Sequence, residues 1–172
     1  CRLRIVDKDI IAKKDKKFRV VYYGLYSPLH GVEHIIEAAK ILNNEKDIEF
    51  ILVGKGQTFD QNYNLAKKYQ LKNISFLDKM TEKDALETLQ KADAFFGLVQ
   101  NSPTVFRVLP NKVYQGLALG KAVITADSPA SRGVFTDQKN IYLCKPANPK
   151  DIAKAIKHLK DDPNLRNTIA KN

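Results

Sequence analysis

Short, almost continuous apolar runs alternate with amphipathic stretches along most of this chain. The runs fall at residues 18–24, 48–53, 74–77, 94–99, 122–125 and 141–144. Runs of this length with little polar alternation read as strands buried on both faces. Between them lie helical patterns. Ile35, Ala38, Ala39 and Leu42 recur at helical spacing within 32–43. A weaker stripe covers 58–69. Thr81, followed three residues later by Asp84, opens a further helix as a capped first turn. Residues 110–120 read as a short helix, with Pro110 in its first turn, Asn111 capping or beginning it, and Gly120 at its left-handed end. Short helices are also expected within 129–135, over 149–160 and after Pro163. Residues 100–109 read as loop, and residues 1–17, which have no firm period, as a linker or stray strand.

Alternating strands and helices predict a parallel sheet covered on both faces. Right-handed crossovers then give a doubly wound, Rossmann-like α/β fold in the order 3-2-1-4-5-6, a single domain over residues 18–172. In that order the first and fourth strands are neighbours where the winding reverses, and ligands bind beyond the C-terminal strand ends there. The loops 24–31 and 97–112, distant in sequence, should meet at that point.

The chain has 172 residues and a net charge of +10, which suits an anionic partner. Phosphorylated ligands, an acidic membrane surface and nucleic acid all qualify. Dispersed lysines on exposed helix faces account for the charge equally well. Nucleic acid is disfavoured, because no aromatic strand motif, zinc spacing or helix-turn-helix pattern is visible. No apolar run is long enough to span a membrane. Cys1 and Cys144 lack metal spacing and evident pairing, which suits a reducing, cytoplasmic setting. The first residue is Cys1 and not Met, so the chain is expected to be a piece of a longer protein.

Candidate chemistry gathers in the loops after strands. In Gly24-Leu25-Tyr26-Ser27-Pro28-Leu29-His30-Gly31, Gly31 would let backbone approach a ligand, and His30 could donate to a phosphate or leaving-group oxygen. Gly54-Lys55-Gly56 is either a flexible turn or a loop beside phosphates or ribose. It is not the dinucleotide fingerprint, since residue 59 is Phe. Lys79 and Met80 could flank a nucleobase or simply lead into a helix. Arg107, Asn111 and Lys112 should converge on the reversal point, where two cations and a helix N-terminus can hold a diphosphate. Gln115 shares a helix face with Lys112 and can bond sugar hydroxyls. No Walker A sequence, Ser–His–Asp set or metal cluster appears.

Taken in order, these segments resemble the C-terminal domain of GT-B glycosyltransferases of the large retaining family called family 4 or group 1. The matching pieces are Tyr23-Gly24 through His30-Gly31, Phe50 to Gly56, Ile74 to Leu77, Ala92-Asp93-Ala94, residues 109–125, and Asp151 through Pro163. The resemblance implies one domain of a two-domain enzyme. This half would bind a nucleotide-diphosphate sugar, while a missing N-terminal domain binds a polysaccharide or glycolipid acceptor. Residues 1–17 would be a remnant leading from that domain. It implies a hexosyltransferase that needs no metal, because basic side chains and helix ends take the metal's part. The piece alone should be inactive, with the whole enzyme cytoplasmic or peripheral to the inner membrane face.

The departures are specific. The family's Gly-Arg after the first strand is Gly24-Leu25 here, and its Lys before the next Gly is His30. Its paired glutamates would fall on Arg107 and Gln115. Arg107 reverses the charge, so the hexose-binding role does not carry over; Gln115 can still meet ribose hydroxyls. A non-catalytic module with a degenerate donor site, or a sugar epimerase of the same fold, stays open beside the transferase.

Overall fold

The structure is a computed structural model that describes residues 17–77 and 82–172, with backbone alone for 82–85. The expectations for residues 1–16, for Lys79 and Met80, and for the Thr81 cap lie outside the described residues.

Six parallel strands form one sheet in the order β3-β2-β1-β4-β5-β6, as the alternation predicts. They are β1 (Phe18–Tyr23), β2 (Ile48–Val53), β3 (Ile74–Leu77), β4 (Ala94–Phe96), β5 (Ala122–Ala126) and β6 (Tyr142–Cys144). The helices are α1 (Val32–Ile41), α2 (Phe59–Lys68), α3 (Glu82–Gln90), α4 (Pro103–Arg107), α5 (Asn111–Ala118), α6 (Pro129–Arg132), α7 (Pro149–Asp161) and α8 (Pro163–Lys171).

The strands are apolar throughout because both faces are covered. Val20, Tyr22, Phe50 and Leu52 pack with Ile35 and Ile36 of α1, Phe59 of α2, Ile156 of α7 and Ile169 of α8. Val21, Ile51, Val53 and Phe95 pack on the opposite face with Leu89 of α3 and Val113 of α5. Neighbouring residues of one strand therefore serve different cores, as a period of two requires. The buried Cys144 belongs to the first core, in keeping with a packing role.

Several boundaries differ from expectation. The loop after β4 contains α4, which one buried apolar residue, Val105, was too little to reveal; Ser102 caps it by accepting from the Val105 N–H at 3.3 Å. β4 stops at Phe96, although residues 97–99 stay buried. A Cβ on Gly97 would lie 2.4 Å from Thr125 Oγ1, so the chain there runs tight against β5. Pro110 is the residue before α5 and not its first, and Asn111 begins the helix. Gly120 does end α5 in the left-handed conformation, at φ +64. Its N–H reaches Leu117 O and that of Lys121 reaches Gly116 O, the paired bonds of a Schellman end. α6 stops at Arg132, short of residue 135, and Ile141 makes only an isolated bridge to Asp137.

Candidate functional site

β1 and β4 are adjacent, so the loops that follow them leave the sheet side by side. Their backbones touch: the Val99 N–H donates to His30 O at 3.3 Å. Gly31 precedes α1 at φ +73, and a Cβ there would lie 2.7 Å from the Gln100 nitrogen. Only glycine allows that backbone geometry and that approach together.

Lys112 rises from the first turn of α5 into this junction. Its ammonium lies 4.2 Å above the centre of the Tyr22 ring, 3.4 Å from His30 Nδ1, and where a Cβ on Gly24 would stand, 3.0 Å away. It forms no ion pair with any described carboxylate. Burial alone pushes its pKa down to about 7. A cation–π contact offsets about 0.5–2 kcal/mol of such a desolvation and leaves the rest unanswered. Tyr22 donates to Leu25 O at 2.5 Å, and burial raises its phenol pKa. The His30 pKa is lowered by burial and by Lys112. A half-buried cation with no counter-charge among the described residues can take up an anion at the mouth of the sheet.

Helix ends point the same way. α4, α6, α7 and α8 are closed by side-chain caps from Ser102, Ser128, Asn148 and Asp162. α1 and α5, which open on the junction, have Gly31 and Pro110 before them and no side-chain cap, as is also true of α2 after Thr58. Their first amides keep donors available for an anion.

The other expected residues are spread differently. Arg107 is exposed at the end of α4 and makes no hydrogen bond or ion pair with a described residue. Asn111 and Gln115 are exposed on α5. Lys55 is exposed, with its ammonium 5.5 Å from the Phe59 ring centre.

The close approaches at Gly54 and Gly56 are to this chain's own backbone. A Cβ on Gly54 would lie 2.1 Å from Gly24 O, and one on Gly56 would lie 2.7 Å from Tyr26 N and O. Bonds from Gly24 N to Val53 O, Tyr26 N to Lys55 O and Thr58 N to Tyr26 O stitch the two loops together. These glycines fix the loop that carries Gly24.

Two residues that sequence reasoning passed over join the site's support. His34, expected on the surface, is half-buried, with Nε2 3.2 Å from Gln100 Oε1. Gln100 donates to Glu33 at 2.7 Å and to Pro28 O at 3.2 Å, tying the β1 loop to the β4 loop. His158, also expected on the surface, sits with Nδ1 3.1 Å from the Tyr142 hydroxyl, on the far side of the fold. Nothing in the sequence marks Gln100, since a polar residue after a strand is ordinary.

Fold and junction together define a Rossmann-like α/β domain with a cationic seat where its winding reverses. The chain belongs to the family described as glycosyl transferases group 1, whose model matches residues 4–172. It is similar to a putative colanic acid biosynthesis glycosyl transferase of Escherichia coli strain K12, 32% identical over 136 residues, covering 75% of this chain and 33% of that protein. Among solved structures it is similar to the C-terminal domain of a group 1 family glycosyl transferase from Francisella tularensis, with a TM-score of 0.73 and 20% identity, covering 97% of this chain and 93% of the other. An Anabaena protein in complex with UDP-glucose gives a TM-score of 0.76 at 20% identity, covering 91% of this chain and 42% of the other. The chain spans less than half the length of the curated relatives it matches. Among the described residues, no helix is long and apolar enough to cross a membrane.

Proposed function

We propose that this domain binds the diphosphate of a nucleotide-sugar donor and forms the donor half of a glycosyltransferase. The single observation that carries the reading is the half-buried Lys112 ammonium, over Tyr22 beside Gly24 and His30, with no carboxylate against it among the described residues. A β-phosphate oxygen placed there supplies the missing counter-charge. As the glycosyl bond breaks, negative charge grows on that oxygen, and a preset cation stabilises it most when it is largest. The uncapped first turns of α1 and α5 add donors to the same anion.

Arg107 would close over the diphosphate from the rim, Asn111 would contribute its amide at the start of α5, and Gln115 would meet the ribose. Lys79 and Met80 would flank the base. The cationic seat serves in place of a metal ion, so a chelator should leave nucleotide affinity unchanged. The acceptor, a surface polysaccharide or glycolipid, would be held by a part of the protein beyond this domain. The colanic acid relative supports that class of acceptor.

Calorimetry with UDP, GDP and inorganic pyrophosphate tests the reading. Saturable micromolar binding of one nucleoside diphosphate is expected, with loss in Lys112→Met. No heat from any of them at millimolar concentration would refute it and favour a degenerate, non-catalytic module.

A further inference from the structure

Exposed apolar and basic side chains meet on the outer side of α1 and α7. α1 buries Val32, Ile35, Ile36, Ala38 and Ala39, and Ile41 falls outside that stripe, 51% exposed. It stands at an open groove of about 530 Å³ between α1, the end of α2 and the start of α7, lined also by Tyr69, Ala147 and Pro149. None of the lining residues belongs to the Lys112 junction. The rim is basic. The Lys40 ammonium lies 4.0 Å over the Tyr69 ring. Lys150 and Lys154, one turn apart on α7, are exposed and make no ion pair with a described residue. Further along α7 the pattern changes, because Lys157 and Lys160 are matched by Glu45 and Asp47. The carboxylate in the groove, Glu37, lies 3.5 Å from His34 Nδ1, and Asp151 turns back to accept from the Lys145 N–H at 2.7 Å.

Charge and composition together select the partner. A row of cations set among aliphatic and aromatic side chains matches an anionic lipid surface. The ammonium groups meet headgroup phosphates, while Ile41 and Tyr69 reach the boundary of the acyl chains. A helical peptide would need an apolar strip several turns long, and the groove offers only Ile41, Tyr69, Ala147 and Pro149. We infer that the α1–α7 flank is a peripheral docking surface for a bilayer rich in anionic phospholipid. The contact is separate from the donor site and stands whether or not that reading does.

Cosedimentation of the 172-residue chain with lipid vesicles tests this. The chain should pellet with vesicles of equal phosphatidylglycerol and phosphatidylcholine, and stay in solution with phosphatidylcholine alone. Salt at about 0.5 M should release it. Lys150→Glu combined with Lys154→Glu should weaken partition about 25-fold or more, each lysine near an acidic surface being worth about fivefold. An acid at position 150 suits the positive start of α7, so this pair should keep its fold. Ile41→Asn should cost about 3–5-fold. Lys91→Glu combined with Lys139→Glu makes the same change of charge at two exposed lysines off this flank, and should keep binding within about threefold of wild type. Melting temperatures of all the variants should match wild type. Equal loss in the two charge-reversed pairs would mean that net charge alone attracts the lipid, and would overturn the inference. So would an absence of binding to either vesicle, which would leave the flank to an acidic protein partner.

Discussion

The two ends of the sheet treat their cations in opposite ways. At the N-terminal end, the half-hidden charges are matched. The Arg19 guanidinium lies 3.1 Å from Glu49, both side chains almost fully covered, and the backbone N–H of Arg19 donates to the Asp93 carboxylate at 2.8 Å. Lys157 and Lys160 of α7 reach Glu45 and Asp47 at 2.9 Å and 2.8 Å. At the C-terminal end, Lys112 is half-buried over an aromatic ring with no acid beside it among the described residues. One end satisfies its charges within the chain. The other holds a charge in reserve, at a cost in stability, for something that arrives later.

Substitutions can break this contrast. The largest effect is expected at Gly54→Val. A side chain there meets Gly24 O at a φ of +123, so the two stitched loops must part, and the domain should fail to fold or lose about 4 kcal/mol or more by chemical denaturation. Lys112→Met comes next and has two opposed consequences. Nucleotide affinity should drop about 100-fold by calorimetry. Stability should rise by about 1–3 kcal/mol near neutral pH, seen as a higher melting temperature, because a poorly solvated charge is removed. Glu49→Gln is the mirror image: it leaves Arg19 buried beside a neutral partner, should cost roughly 2–4 kcal/mol of stability, and should leave nucleotide affinity unchanged. Arg107→Ala should be mildest. An exposed cation at the rim should contribute only about 2–5-fold to affinity, more at low salt than at high salt.

The buried half of this contrast was the more legible in sequence. Apolar runs without alternation marked the strands, and the strict turn-taking of strand and helix set their order, because a right-handed crossover leaves few ways to wind such a chain. The meeting of loops 24–31 and 97–112 followed from that order. Lys112 was visible as a cation at the start of a helix, but its partners were not. Tyr22 looked like one more strand residue, although its ring is the floor beneath the ammonium. Gly54 and Gly56 read either as a flexible turn or as ligand contacts, because glycine signals close approach without saying to what. α4 escaped because one buried valine gives no period.

Proton linkage tests the reserved charge most directly. Burial pushes the Lys112 amine down to about 7, against an ordinary value of 10.5. Between those values an unfolded chain holds the proton that the folded domain has released, so Lys112 makes stability rise with pH across that window and costs most below it. A bound diphosphate favours the charged amine, so above pH 7 binding must take up a proton. Calorimetry of UDP or GDP binding at pH 8 and above, in buffers of different ionisation enthalpy, should show uptake close to one proton and an affinity falling toward tenfold per pH unit, with both effects gone in Lys112→Met. Affinity flat from pH 7 to 9 with no proton uptake, and unchanged in Lys112→Met, would contradict the account.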